Sequence, residues 1–532
     1  MDEDPNVPKR KDTHRRRNIV SVILAFVAGL VIAGLIAAQY AMHHAGPMLR
    51  ARVIRTLSQR FNSQVQLGEF NVSVLHGLDV EGKNLSLRSN LNPGLPPQIQ
   101  VREFTFHAGL PDVFRSPLHI GLVQLHGLAL MIPPKGQRSS MQKSKKSRRK
   151  ISFLIDTIVC NDATLTIMTG RPNKVPLQFE IHALRLTRVD SRHPMHFVAQ
   201  LINPKPVGAI ASSGNFGPWN ADRPAETPVS GIYSFSHADL STTHGIAGML
   251  SSTGKYSGKL DTITVDGITD TPDFSVDVSG HKVDLTTQFH AIVNGTNGNT
   301  YLQPVKAQFL HTHITANGDV VRDLKQNGHD IHLKVTIDKG RVEDLLWLGV
   351  KTDPPVMAGN VRLKAKFYLP PGKEPVNQKL QMQGTFAAEN VSFSNAVIQK
   401  KMDQLSLRSR GRAPEAKDMD NETGVQLPGQ QDVQANMHGV FELGGGKLEL
   451  PQLVCTVPGA EVRLAGVYTL DGREFDFSGR ARMQASVSGI VGGWKGKLLR
   501  PLDSFFSKNG AGTEIPIRIT GTSSNPHFRL NY

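Results

Sequence analysis

Residues 361–369 read Val-Arg-Leu-Lys-Ala-Lys-Phe-Tyr-Leu, and this run decides the fold. Apolar groups alternate with Arg362, Lys364 and Lys366. A helix of 3.6 residues per turn would scatter both sets around its axis, whereas a strand puts the apolar groups on one face and the cations on the other. Leu363, Ala365 and Phe367 are therefore expected to face inward.

The same period of two extends outward from this run. It recurs in Ile331 to Ile337, Val305 to Phe309, Val276 to Val278, Leu85 to Leu87, Phe70 to Val74 and Val65 to Leu67. Near the end of the chain, Val462, Leu464 and Gly466 precede Asp471-Gly472, and Phe475, Phe477 and Gly479 follow. That is the pattern of a hairpin with a favoured turn dipeptide. Alternation means strands with one apolar and one wet face, while parallel βαβ sheets would show continuous apolar strands and regular intervening helices. The expectation is a mainly β body, a long run of antiparallel strands. Leu125 to Leu130, Cys160 to Leu165 and Glu389 to Phe393 each read as a strand that ends at a polar turn and restarts. Their irregular spacing makes this a recurring style and not a fixed-period repeat.

Two polar stretches interrupt the body. Pro133 to Lys150 is basic, and Ala413 to Asp432 is rich in charge, glycine and amide, so both read as loops. After them Val487, Ile490, Val491, Trp494 and Leu498 take up helical spacing, giving a helix over about 486–508, with Gly510 placed to stop it and a last strand from Ile515 to Ile519.

Composition limits what this chain can be. In 532 residues only 39% are apolar and 6% aromatic, a thin supply for several independent cores, and the 49 glycines suit frequent turns. The formal net charge is +16. Half of it sits on Lys135, Arg138, Lys143, Lys145, Lys146, Arg148, Arg149 and Lys150, with no acidic residue between them. Such a run is either a solvated loop or a contact for anionic headgroups, for which Lys143, Lys145, Lys146, Arg148, Arg149 and Lys150 are the candidates. The charge is local, so nothing points to nucleic acid as a partner. Two cysteines, Cys160 and Cys455, each in an apolar run, make neither a disulfide framework nor a metal knuckle.

Ile19 to Tyr40 carries no charge and is long enough for one bilayer crossing as an uncleaved anchor. Lys9, Arg10, Lys11, Arg15, Arg16 and Arg17 precede it, and Arg50, Arg52 and Arg55 follow. This bias puts residues 1–18 in the cytoplasm and the body across the membrane. Ala25, Gly29, Ala33 and Ala37 form a stripe of small side chains suited to packing against a partner helix. Over residues 47–61, Leu49, Val53, Leu57 and Phe61 share one face while Arg50, Arg52, Arg55 and Arg60 project elsewhere. This helix either lies on the membrane surface or caps the β structure that follows.

A search for reactive chemistry finds none. No histidine is followed by glutamate as a zinc-protease helix requires, and no serine sits between glycines in a nucleophile elbow. Gly254-Lys255 resembles the end of a phosphate loop, but Met249 replaces the required glycine and Tyr256 the required Ser or Thr. His311, His313, His329 and His332, read as two strands about a turn at Asn317-Gly318, are the only candidate metal cluster. The three-residue spacing of His329 and His332 sends them to opposite faces, and exposed histidines explain all four. The expectation is no enzyme, no metal and no cofactor.

Several motifs in order resemble the AsmA family. They are Leu67-Gly68-Glu69-Phe70, His76-Gly77-Leu78 and Pro133-Pro134, then Gly217-Pro218-Trp219-Asn220, Thr227 to Gly231, Ala238-Asp239-Leu240, Gly245 to Gly248 and Pro272-Asp273-Phe274, and finally Gly512 to Ile517 with Ile519 to Thr522. The resemblance spans nearly the whole chain. Asn294 to Asn299 replaces the acidic glycine turn usual in that family, and Met141 to Lys150 is longer and more basic than the family pattern. The resemblance implies an inner-membrane anchor carrying a periplasmic, taco-like β-groove with short capping helices, related to bridge-like lipid-transfer proteins and associated with phospholipid transport and outer-membrane assembly. Phospholipid is then the implied ligand, and Leu363, Ala365 and Phe367 become candidate lipid-facing residues. About 30 strands advancing roughly 4.8 Å each would span roughly 140 Å, which calls for a partner at the outer membrane or for a carrier that does not bridge the gap. The expected organisation is a basic tail (1–18), transmembrane helix (19–40), N-terminal β module (41–132), basic loop (133–150), central β-groove (151–412), polar loop (413–432) and C-terminal β segment (433–532). The alternative is an envelope scaffold or tether that moves no lipid.

Overall fold

The computed structural model describes residues 26–33, 47–61, 63–73, 77–90, 94, 96–109, 111, 118–132, 153–168, 176–190, 192–218, 223–242, 245–295, 297–322, 328–372, 374–411, 432–469, 474–486, 488, 512–522 and 526–530. The basic stretch 133–150, residues 413–431 of the second polar stretch, and nearly all of the helix expected at 486–508 lie outside the described residues.

Two helical segments open the chain: α1 (residues 26–33) and α2 (Pro47–Phe61). Strands follow: β1 (Ser63–Gln66), β2 (Phe70–Ser73), β3 (Leu78–Ser89), β4 (Ile99–Ala108), β5 (Leu118–Ile132), β6 (Phe153–Ile167), β7 (Leu177–Asp190), β8 (Met195–Pro204) and β9 (Val207–Phe216). Next come β10 (Pro228–Asp239), β11 (Ile246–Ala247), β12 (Met249–Lys259), β13 (Thr262–Val276), β14 (Val283–Val293), β15 (Thr300–Phe309), β16 (Thr312–Arg322) and β17 (His329–Arg341). Helix α3 (Val342–Gly349) leads to β18 (Met357–Leu369) and β19 (Gln381–Phe393), and α4 (Ala396–Ser409) follows β19. The last strands are β20 (Ala435–Gly444), β21 (Lys447–Val457), β22 (Ala460–Thr469), β23 (Glu474–Met483), β24 (Thr513–Thr522) and β25 (Pro526–Leu530).

The fold is mainly β, one long mixed sheet that does not close on itself; the short β11 pairs separately with β13. The sheet departs from the all-antiparallel expectation at one place. β5 and β6 run parallel, from Leu118 opposite Phe153 to Ile132 opposite Ile167. Ile132 and Phe153 therefore lie at opposite ends of the pair, and residues 133–152 must connect them. The expected hairpin is present as β22 and β23, with Leu464 opposite Gly479, Gly466 opposite Phe477 and Tyr468 opposite Phe475.

The phrases read as turns are interior to strands. Gly127 lies within β5, Asp162 within β6 and Asn390 within β19, each with a left-handed backbone, as has Asn84 in β3, at φ between 53° and 63°. In the first half of the sheet these residues line up: the flanking pairs put Asn84 opposite Arg102, Arg102 opposite Gly127 and Gly127 beside Asp162. A crease thus crosses several strands. Gly127 is required there, because a Cβ would sit 2.9 Å from the Cβ of Arg102. In β19 the pairing with β20 slips between Ala388 and Val391, a β-bulge that bends the strand without ending it.

The chain divides into two compact units. The first holds residues 1–236, 253–265 and 293–297, and the second the rest, so that β10 and β12 to β14 contribute to both. The division falls within the stretch 151–412.

The first unit has a dry, filled core in which Phe104, Leu125, Leu128, Ile155, Ile158 and Cys160 are buried. Helix α2 takes the capping role: Val53 and Leu57 join this cluster, Arg50 and Arg55 point to solvent, and Arg50 Nε donates to the Leu67 carbonyl at 3.0 Å. Segment α1 joins it too, through Phe26, Val27, Leu30, Val31 and Ala33. Among the described residues no helix is long and apolar enough to cross a membrane, and the expected 19–40 span is represented only by α1. Of the small-residue stripe, Gly29 and Ala33 are buried inside the protein, while Ala25 and Ala37 lie outside the described residues.

Phe104 sets a test of the first core. It stands opposite Gly82, where a Cβ would fall 2.2 Å from its ring. Gly82→Ala should therefore destabilise the first unit by about 1–3 kcal/mol in urea denaturation, as overpacking does. Gly349→Ala, with nothing within 4 Å of the new Cβ, should leave the midpoint in place.

Candidate functional site

The second unit differs from the first in what covers its apolar face. Pairing registers carry one row of residues across nine strands: Leu302, Gly318, Leu333, Phe367, Met382, Leu443, Leu448, Tyr468 and Phe475. Every member is only half-buried. A second row runs Ile337, Leu363, Phe386, Gly439, Leu453, Leu464, Gly479 and Ile517. Between them lie Val335, Ala365, Gly384 and Phe441. The result is an apolar trough whose floor is built by alternation in each strand and by register between strands.

One side of the trough is sealed. There Ala388, Val391, Ala435, Cys455, Val457, Val462 and Ala481 are buried together, with Met402 and Leu405 of α4 packed against them. The other side carries the half-exposed row and a cavity of about 980 Å³, walled by Leu302, Pro304, Leu333, Phe367, Met382 and Leu443. That is large for a small-molecule site, and polar side chains share its wall, among them Gln303, Asn317, Lys334, Lys366 and Glu442.

Leu363, Ala365 and Phe367 share one face of β18. Leu363 is half-buried in the second row, Ala365 is buried, and Phe367 stands on the cavity wall. Arg362, Lys364 and Lys366 are exposed on the opposite face. That outer face is wet and charged: Arg362 pairs with Glu389, Arg480 with Glu514 at 2.8 Å, and Arg518 holds both oxygens of Asp476 at 3.0 and 2.7 Å. The Arg518 guanidinium keeps the Asp476 carboxyl below its ordinary value.

Helix α3 closes strand ends at the sealed side. The carboxylate of Asp344 is buried and accepts from the His311 backbone N–H at 2.9 Å and from Thr312 Oγ1 at 2.8 Å. Glu343 accepts from the Gly359 N–H at 2.9 Å and from Arg341 Nε at 2.6 Å. At the far end of the helix, Trp347 stacks on His281 with centroids 4.0 Å apart, and Ser279 Oγ donates to the Leu348 carbonyl at 2.7 Å.

Asn317-Gly318 lies inside β16 and is no turn, because Gly318 is opposite Leu333. The turn at Leu310-His311, where Leu310 takes a positive φ of 46°, joins β15 to β16, and β16 runs on to Arg322 before the connection to β17. His311 is thus on a turn and 82% exposed, while His313, His329 and His332 are exposed on strands. His332 Nδ1 meets Asp319 at 3.3 Å, and its ring stacks on Tyr368. Among the described residues no three His, Cys, Asp or Glu side chains lie together as a metal site. Burial pushes the Cys160 thiol up to about 12 and the Cys455 thiol up to about 11, so both stay protonated at neutral pH.

Sequence reasoning missed the long half-exposed row and α3. Alternation gives the face of each strand, but which residues meet across strands depends on bulges and turn lengths. Helix α3 did leave a signal, with Glu343 and Asp344 in its first turn and Gly349 at its end.

No family model matches the chain, and no curated protein does.

Glu343 makes the α3 closure pH-dependent. Burial alone would raise its carboxyl, but the hydrogen bonds from Gly359 and Arg341 outweigh that and hold it below the ordinary value. A depressed carboxyl stabilises the fold above its unfolded pKa, and the contribution is lost as pH falls through the folded one. Thermal denaturation from pH 7 down through the carboxylate range should therefore show Glu343→Gln with a lower melting temperature than the wild type at pH 7 and a shallower decline on acidification. Parallel curves at all pH values would show that the carboxylate does not carry the effect.

Proposed function

We propose that this chain is a non-enzymatic, inner-membrane-anchored envelope protein whose second unit binds phospholipid acyl chains in its trough, in phospholipid transport or outer-membrane assembly. The observation that carries this reading is the row from Leu302 to Phe475, apolar but for the Tyr468 hydroxyl and only half-buried over nine successive strands. A face of that extent left in water is unfavourable, and large exposed apolar patches mark binding surfaces. Eight strand steps at about 4.8 Å carry the row roughly 38 Å. An acyl chain occupies about 15 Å, half the hydrocarbon thickness of a bilayer, so the trough has room for more than one in line.

The resemblance to the AsmA family, the charge-free segment 19–40 and the cation bias before it support the reading of an anchor with a periplasmic body. The outer face, bearing Lys364, Lys366, Arg463 and Arg518, would remain in water while acyl chains lie on the inner one.

Lipid mass spectrometry of the purified full chain tests this reading. Phospholipid should copurify, and Leu363→Glu or Phe367→Glu should cut the lipid-to-protein ratio by at least half, since a carboxylate in the trough is costly beside hydrocarbon. Lys364→Glu, exposed on the outer face and away from the cavity wall, should not. A folded wild-type chain free of phospholipid would leave the scaffold reading in its place.

A further inference from the structure

The inner face of the first unit is already covered, and by the segment that the sequence marks as a bilayer anchor. Residues 26–33 read Phe-Val-Ala-Gly-Leu-Val-Ile-Ala and contain no polar side chain. All eight are buried, from Phe26 and Val27 at 0% to Ile32 at 9%. Eight residues make just over two helical turns, so burial of all of them means protein on every side of α1. Its side chains share one cluster with Leu85, Leu125, Leu128, Ile155 and Ile158, which are inward residues of β3, β5 and β6.

Two consequences follow from elementary physics. A helix enclosed by protein is not in a bilayer, so the seated position and the anchored position exclude each other. Moreover, side chains that offer only apolar surface are held by burial alone, a non-directional force that acyl chains supply equally well. The surface that accepts α1 is therefore chemically suited to hydrocarbon.

We propose that residues 26–33 are an exchangeable cover: seated, they close the inner face of the first unit, and on insertion into a bilayer they leave it open to phospholipid acyl chains. Membrane attachment thereby opens a second acyl site, beside α2, in addition to the trough of the second unit. The proposal rests on the reading that this chain handles lipid.

The test uses the full chain carrying photo-leucine, a near-isosteric diazirine analogue that leaves the core packed. Without lipid, crosslinks from Leu30 should map by mass spectrometry to residues 78–89, 118–132 or 153–167. With vesicles of phosphatidylethanolamine and phosphatidylglycerol, those crosslinks should be lost in favour of lipid adducts. In the same vesicles a diazirine-bearing phospholipid should label first-unit strands as well as second-unit ones. In a second arm without vesicles, Leu30→Asp should raise first-unit labelling by a soluble diazirine fatty acid several-fold. Leu30 crosslinks that persist in vesicles, or vesicles that label only the second unit, overturn the cover while leaving the trough reading intact. Labelling of neither unit overturns both.

Discussion

Everything in this molecule depends on a strand's need to satisfy its backbone sideways. From β3 to β9 and from β15 to β24 each strand pairs with the next in the chain, which is how the sheet keeps growing in chain order. That bonding says nothing about the two faces. Alternation makes one of them apolar throughout, as Val361 to Leu369 show in miniature, and the sheet alone cannot hide it. A second layer, a closed barrel or a ligand has to do so. The first unit uses its own helices. The second leaves a row from Leu302 to Phe475 only partly covered.

The difference lies in what stands on the two floors. In the first unit, buried Leu85, Leu125, Leu128, Ile155 and Ile158 meet α1 and α2, and aliphatic volume fills the space. The first unit has such a pair in Gly82 and Phe104 beneath that aliphatic volume, but in the second, glycine repeatedly stands opposite phenylalanine: Gly384 opposite Phe441, Gly439 opposite Phe386, Gly466 opposite Phe477. A Cβ at these glycines would come within 3.0, 3.1 and 2.4 Å of the facing ring. The rings therefore lie down over the bare backbone instead of standing up from it. Such pairs repair the weakness of glycine in a strand. They also keep the floor low, and a low floor on a curved sheet is unfilled volume.

Much of this was legible from residue order alone. The strand class, the shared face of Leu363, Ala365 and Phe367, the β22–β23 hairpin and the amphipathic helix over 47–61 follow from period and turn chemistry that act within a few residues. The errors have one physical origin. Gly127, Asp162 and Asn390 look like turn residues because they adopt the left-handed backbone that turns use. Here that conformation bends a strand that continues, and only the pairing of neighbouring strands tells the two apart. The parallel β5–β6 pair was hidden for the same reason, since parallel or antiparallel is a relation between strands that alternation within either cannot express.

The N-terminal segment shows where sequence reasoning reaches a limit set by solvent physics. A stretch with no polar side chain has nearly the same preference for a bilayer interior as for a dry protein core, because both remove its surface from water. Hydropathy therefore marks Ile19 to Tyr40 as charge-free and largely apolar without saying which apolar environment would receive it. The structure adds that, for residues 26–33, a protein surface capable of receiving them exists. Once such a surface exists, the segment's location depends on which apolar environment is on offer. Its occupancy and the accessibility of the first unit's inner face are then one equilibrium.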